Sequence, residues 1–226
     1  MQKIFETLFD AVYLTSVIAL GIIMIRNSKK NRQYLLFGIM AVVLGVGDSF
    51  HLIPRAAALC TTGLENWSTA LGIGKFITSI TMTLFYILLY YVYRVRYKVT
   101  RETYLTVSMY ILAAARIILC FLPQNEWTSP DAPLSFGIYR NIPFALIGII
   151  IIVIFRRAAV KNNDRSFRFM WLTILLSFGF YIPVVLWADI YPLIGMLMIP
   201  KTCAYVWTVV IGYADMKKHN RQININ

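Results

Sequence analysis

Five ionisable side chains stand inside otherwise apolar stretches of this sequence: Asp48, His51, Lys75, Arg116 and Lys201. An ionisable group within a lipid-spanning helix is costly, so it faces the interior of a bundle or a cavity and marks a site where chemistry or binding is done. One carboxylate set against three cations suits acid–base work beside an anion. Asp48 with His51 would move protons, while Lys75, Arg116 and Lys201 would hold a phosphate or carboxylate by charge-assisted contacts. The spacing 48, 51, 55 puts Asp48, His51 and Arg55 on one helical face. Ser79, Thr83, Tyr86 and Tyr90 form a polar stripe below Lys75, and Tyr205 and Thr208 continue the face of Lys201. With Ser79, Tyr181 and Tyr205 added, the candidate ligand-binding set is Lys75, Ser79, Arg116, Tyr181, Lys201 and Tyr205. The alternative is a structural network in which Lys75 and Arg55 snorkel to the interface and Arg116 caps a helix end.

The elements that must position these groups follow from the apolar runs. The chain has 226 residues, of which 59% are hydrophobic and 14% charged. A soluble domain of this size needs more charge to cover its surface, and a run of about 20 apolar residues spans a bilayer core. The runs predict an all-α, polytopic membrane protein in one domain, with seven helices over about 4–25, 34–53, 69–93, 104–122, 140–155, 169–187 and 191–213. Pro54 is expected to end the second helix. Pro200, in the middle of the predicted seventh, is expected to kink it and free the carbonyl of Met196, and Pro183 is expected to kink the sixth.

Net charge is +12, but a nucleic-acid partner is excluded by where that charge sits. Most of the 22 Lys and Arg residues fall in three short loops and the tail: Arg26 to Arg32, Arg94 to Arg101, Arg156 to Arg168 and Lys217 to Arg221. Alternation of basic and nearly unbasic loops is the positive-inside pattern, so the C-terminus is expected in the cytoplasm and the N-terminus outside, in the cell membrane. By helical rise Asp48, Arg116 and Lys201 then stand about 21, 18 and 15 Å along their helices and Lys75 about 9 Å, which gathers them in the outer half. No H-E-x-x-H, G-x-S-x-G, G-x-G-x-x-G or P-loop pattern occurs, and no metal or cofactor is expected. Cys60, Cys120 and Cys203 form no C-x-x-C motif. Cys60 and Cys120 either pair near the outer surface or remain small apolar side chains.

Gly45 to Leu52, reading GVGDSFHL, resembles the Gly-Asp motif in an early helix of the lysoplasmalogenase membrane family. The stretch from Gly72 to Tyr86 and the last helix from Met196 to Tyr205 are similar to it as well. That resemblance implies a membrane hydrolase acting on the vinyl-ether bond of a lysolipid, with Asp48 as a catalytic group. The family has eight helices and a second late acid, for which this sequence offers only Asp189. The topology, with Lys201 in helix 7 and Tyr181, Pro183 and Trp187 in helix 6, also resembles the microbial rhodopsins, which implies retinal on Lys201. Helix 3 then lacks the counterion carboxylate and carries Lys75 instead. The expectations are therefore a lipid-directed hydrolase whose partners are membrane lipids and an anionic ligand or phospholipid head group, a transporter of a small anionic solute, or a seven-helix sensor or receptor.

Overall fold

The computed structural model describes residues 2–61, 63–129, 131–188 and 190–225; Pro130 and Asp189 lie outside them. The described chain is helical, with seven helices long and apolar enough to cross a membrane. These are α1 (Gln2–Arg26), α2 (Arg32–Cys60), α3 (Ser68–Arg96), α4 (Thr103–Phe121), α5 (Leu134–Lys161), α6 (Met170–Trp187) and α7 (Met198–Ile225). Helices adjacent in the chain pack side by side and α7 returns to α1, closing the ring, while α3 also touches α5 and α2 touches α7. The end at which α1, α3 and α5 finish carries the basic loops and is called here the basic end; the other is the far end.

Local chemistry sets several boundaries. The Asn31 side chain accepts from the Gln33 amide at 3.0 Å and starts α2, satisfying one of the orphan donors of a first turn. Arg94 and Arg96 close α3, where cations complement the negative end of the helix. Three expected boundaries are corrected. Pro54 lies inside α2, which continues to Cys60. Proline leaves the carbonyl four residues earlier without its helical donor; that carbonyl, of Phe50, packs against Gly74, where a Cβ would lie only 2.3 Å from the oxygen. The missing side chain at Gly74, and at Gly47 against Thr81, lets α2 and α3 approach closely. α5 begins at Leu134 and ends at Lys161, so Arg140 is two turns inside it and Arg156 and Arg157 are helical. Finally, a 3-10 segment, Pro192–Leu197, precedes α7. Pro200 is therefore in the first turn of α7, where an amide has no helical acceptor to lose. The expected mid-helix kink is replaced by a change of helix type at Leu197. Pro183 does lie within α6.

The core at the basic half is aromatic and closed: Phe37, Phe85, Leu89, Tyr90, Phe155 and Phe167 are all almost fully buried.

Candidate functional site

At the far half, polar groups from several helices converge. Arg116, on α4, is 2% exposed. Its guanidinium lies over the Phe144 ring, with Cζ 3.2 Å from the centroid, and neither Nε nor Nη1 has a hydrogen-bond partner. Ser177, on α6, is likewise buried. Around Arg116 stand the hydroxyls of Tyr181, Tyr205 and Tyr86, the thiol of Cys120 and the Lys201 ammonium. Tyr86 and Tyr205 bring their hydroxyls to 3.4 Å of each other, and the Ser177 hydroxyl lies beside both.

Lys201, on α7, is 8% exposed. Its Nζ sits 5.0 Å from the Tyr181 ring centroid and 5.5 Å from that of Tyr205. Aromatic faces attract a cation but leave its N–H donors unspent. Among the cations, Lys201 is the one that acts on Asp48. The two do not form a direct ion pair, for the pairs found among the described residues are Arg55–Glu6, Arg96–Asp164 and Arg96–Asp215. Asp48 accepts instead from the Tyr13 hydroxyl of α1, at 2.6 Å.

The expected site residues separate into two groups. Arg116, Lys201, Tyr181 and Tyr205 come together around the Phe144 and Phe178 rings, with Asp48 on the α1 side. Lys75 is exposed on α3, and the site residue it acts on is His51. His51 Nδ1 donates to the Leu71 carbonyl at 3.3 Å, so the expected Asp48–His51 couple is not formed. The shared face of residues 48, 51 and 55 is split: Asp48 and Arg55 reach Tyr13 and Glu6 of α1, and His51 reaches α3. Ser79 donates to the Lys75 carbonyl at 2.8 Å and flanks Cys120. All three cysteines are free, Cys60 exposed and Cys120 buried.

Sequence reasoning passed over Tyr13, Phe144, Ser177 and Arg140. Arg140 stacks on Trp127, Cζ 4.2 Å from the ring, and donates to the neutral Asn125 Oδ1 at 2.9 Å. Like Arg116, it acts on Tyr181 and Cys120. Tyr181 donates to Asn141 Oδ1 at 3.1 Å, which fixes the ring that faces Lys201. Arg140 was legible as a charge at a helix start; the others are ordinary residues until helix packing is known.

Beside this cluster an apolar groove of about 260 Å³ opens between α3 and the end of α4, walled by Ile73, Phe76, Phe121, Leu122, Pro123 and Trp127, with Cys120 at its base. Cys120 is one turn from Arg116, so the groove and the cations share a face of α4.

The basic end holds a second polar cluster that the sequence did not announce. Arg96 bonds Asp164 of the α5–α6 loop and, at 2.8 Å, Asp215 of α7, and stacks on Phe167 at 3.7 Å. Tyr97 donates to Asp164 at 2.9 Å, and Tyr34 to Asp215 at 3.1 Å. Burial alone would raise the Asp164 carboxyl, but the Arg96 guanidinium and the Phe167 amide and Tyr97 hydroxyl hold it below the usual carboxylate range. No group of His, Cys, Asp and Glu suited to a metal ion occurs among the described residues.

Comparison of the chain with family models, curated proteins and solved structures returns no match.

Proposed function

We propose that this seven-helix protein takes an anionic amphiphile from the bilayer, seating its charged head among Arg116, Lys201, Ser177 and the Tyr86–Tyr205 pair and its chain in the α3–α4 groove. One observation carries this: Arg116 is 2% exposed and two of its nitrogens have no protein partner. A buried charge without partners costs several kcal/mol, at least about 3 by the usual effect of breaking a buried pair, and an anion seated there would supply what the protein withholds. The groove supports a lipid source, because its walls are apolar side chains of α3, the end of α4 and the connection that follows. The closed aromatic core toward the basic end speaks against a path for a solute through the bundle.

The basic end belongs in the cytoplasm and the far end outside, in the cell membrane, by the excess of cations at one end. A second, narrower function is hydrolysis of the bound lipid, which the Tyr13–Asp48 contact favours. Asp48 already accepts a proton-sharing bond, and as a carboxylate next to the head group it is suited to take a proton from water.

The test is lipid mass spectrometry on protein purified in mild detergent. Wild type should carry an anionic amphiphile that Arg116→Gln lacks at unchanged melting temperature. Wild type and variant carrying the same lipids would sink the proposal.

A further inference from the structure

Two arginines of the far half stand in none of the ion pairs found among the described residues. Arg55 is taken by Glu6 at 3.1 Å, and Asp10 is acted on by the same Arg55. Lys201 faces Asp48. That leaves two arginines, Arg116 and Arg140, on neighbouring helices α4 and α5. Arg116 lies over Phe144, one turn from Arg140 on α5, and Arg140 lies over Trp127, whose indole donates to the Cys120 carbonyl one turn from Arg116, so the two guanidiniums flank one space. Phenols and a thiol surround both, Lys201 also faces Arg116, and neither arginine is in an ion pair. Arg140 spends one nitrogen on a neutral amide and rests its plane on Trp127. Arg116 spends its plane on Phe144 and leaves Nε and Nη1 open. Trp127 and Cys120 both line the apolar groove, so Arg140 stands at the join between groove and head seat.

Two guanidiniums without a carboxylate match a doubly charged group. A zwitterionic head would bring a cation of its own into a space already rich in cations, and like charges in low dielectric repel strongly. A phosphate monoester carries close to two negative charges at neutral pH and three acceptor oxygens, and guanidinium is the side chain best matched to phosphate. The Ser177 hydroxyl, buried beside the Tyr86 and Tyr205 hydroxyls, offers a further donor from α6. We infer that the head seat is selective for a dianionic phosphate monoester on an acyl chain, held by Arg116 and Arg140 together. This rests on the amphiphile proposal above and narrows it.

The experiment measures binding to the full chain in neutral nanodiscs. Four probes are compared: a single-chain acylglycerol phosphate, its choline diester of the same chain, an alkyl sulfate of matched length, and inorganic phosphate. The monoester should bind at least about tenfold tighter than the sulfate, the effect of one added charge-assisted bond, and tighter still than the choline diester. Arg140→Gln should reduce the monoester to the affinity of the sulfate, leaving the sulfate itself little changed. Arg116→Gln should weaken both. Arg140→Lys should recover part of the preference, which a merely structural Arg140 would not do.

Equal binding of monoester and sulfate by wild type would overturn the dianion inference and leave the amphiphile proposal standing. Binding of none of the three amphiphiles would overturn both. Inorganic phosphate binding as tightly as the monoester, and competing with it, would support the dianion seat but overturn the acyl chain.

Discussion

The two ends of the bundle treat buried charge in opposite ways. At the basic end, Arg96 meets two carboxylates, and those carboxylates also receive tyrosine hydroxyls from α2 and from the residue after α3. At the far half, Arg116 and Lys201 meet aromatic faces, and Arg116 keeps idle donors. Satisfied networks hold segments together, and here Arg96 ties α3 to the α5–α6 loop and to α7. Unsatisfied ones are kept only where something else completes them. The contrast separates charge answered by carboxylates from charge answered by aromatic faces.

The strongest way to break that contrast is Arg96→Met. It strands two carboxylates and should cost about 3–5 kcal/mol of stability, read as a fall in melting temperature in detergent. Arg116→Met should leave the ligand-free protein as stable or more so, because it removes a buried charge that has no partner. Equal destabilisation by both substitutions would erase the distinction.

Binding is the next effect in size. Arg116→Met should weaken an anionic amphiphile by about 1.5–3 kcal/mol, the scale of a hydrogen bond to a charged group, whereas Arg96→Ala, at the opposite end, should change affinity little where the protein remains folded.

Smaller again is Tyr13→Phe. Loss of the hydroxyl that meets Asp48 should cost about 1 kcal/mol, and it should alter lipid turnover, assayed by product release, if Asp48 is the base. Turnover matching wild type would remove the hydrolytic role.

Acid should act on the two ends unequally. The Asp164 carboxyl is held low in the folded protein, so its contribution is fully present above the unfolded carboxyl value of about 3.9 and is lost as pH falls through the lower folded value. Melting curves from pH 6 to 3 should lose stability at the acid end in wild type, and less so in Asp164→Asn. Smallest is Arg55→Ala. Its pair with Glu6 is over a third exposed on the arginine side and should be worth only about 0.2–1 kcal/mol.

Much of the architecture was legible because apolar length and loop charge are properties of the chain itself. All seven helices were read in their places, and the misplaced ends have local causes. Pro54 was expected to stop α2, but packing of the Phe50 carbonyl on Gly74 accommodates it. Pro200 was expected to break α7, but the helix starts just before it. Charge in apolar runs pointed to Arg116 and Lys201. It also pointed to Lys75, whose place near a helix start leaves it exposed. Tyr13, Phe144 and Ser177 carry no such mark. Their roles arise from which helices touch, and a one-dimensional pattern does not encode that. The Arg96 network was hidden for the same reason, its two acids standing among loop cations far apart in the chain.

Arg116 also has a consequence for how the protein is made. α4 is only 19 residues long, and an arginine raises the cost of partition from the translocon by up to about 2.5–3.5 kcal/mol, the value at a helix centre, from which Arg116 is displaced toward the far end. The Leu, Ile, Val and Phe residues of α4 each return only about 0.3–0.6 kcal/mol, so on its own the helix stands near the threshold of insertion. The Phe144 ring that covers the guanidinium belongs to α5, which leaves the ribosome later. α4 is therefore expected to settle in the bilayer as half of a hairpin with α5, and a nascent chain cut before α5 should hold its fourth segment only loosely, which a glycosylation-reporter insertion assay reads.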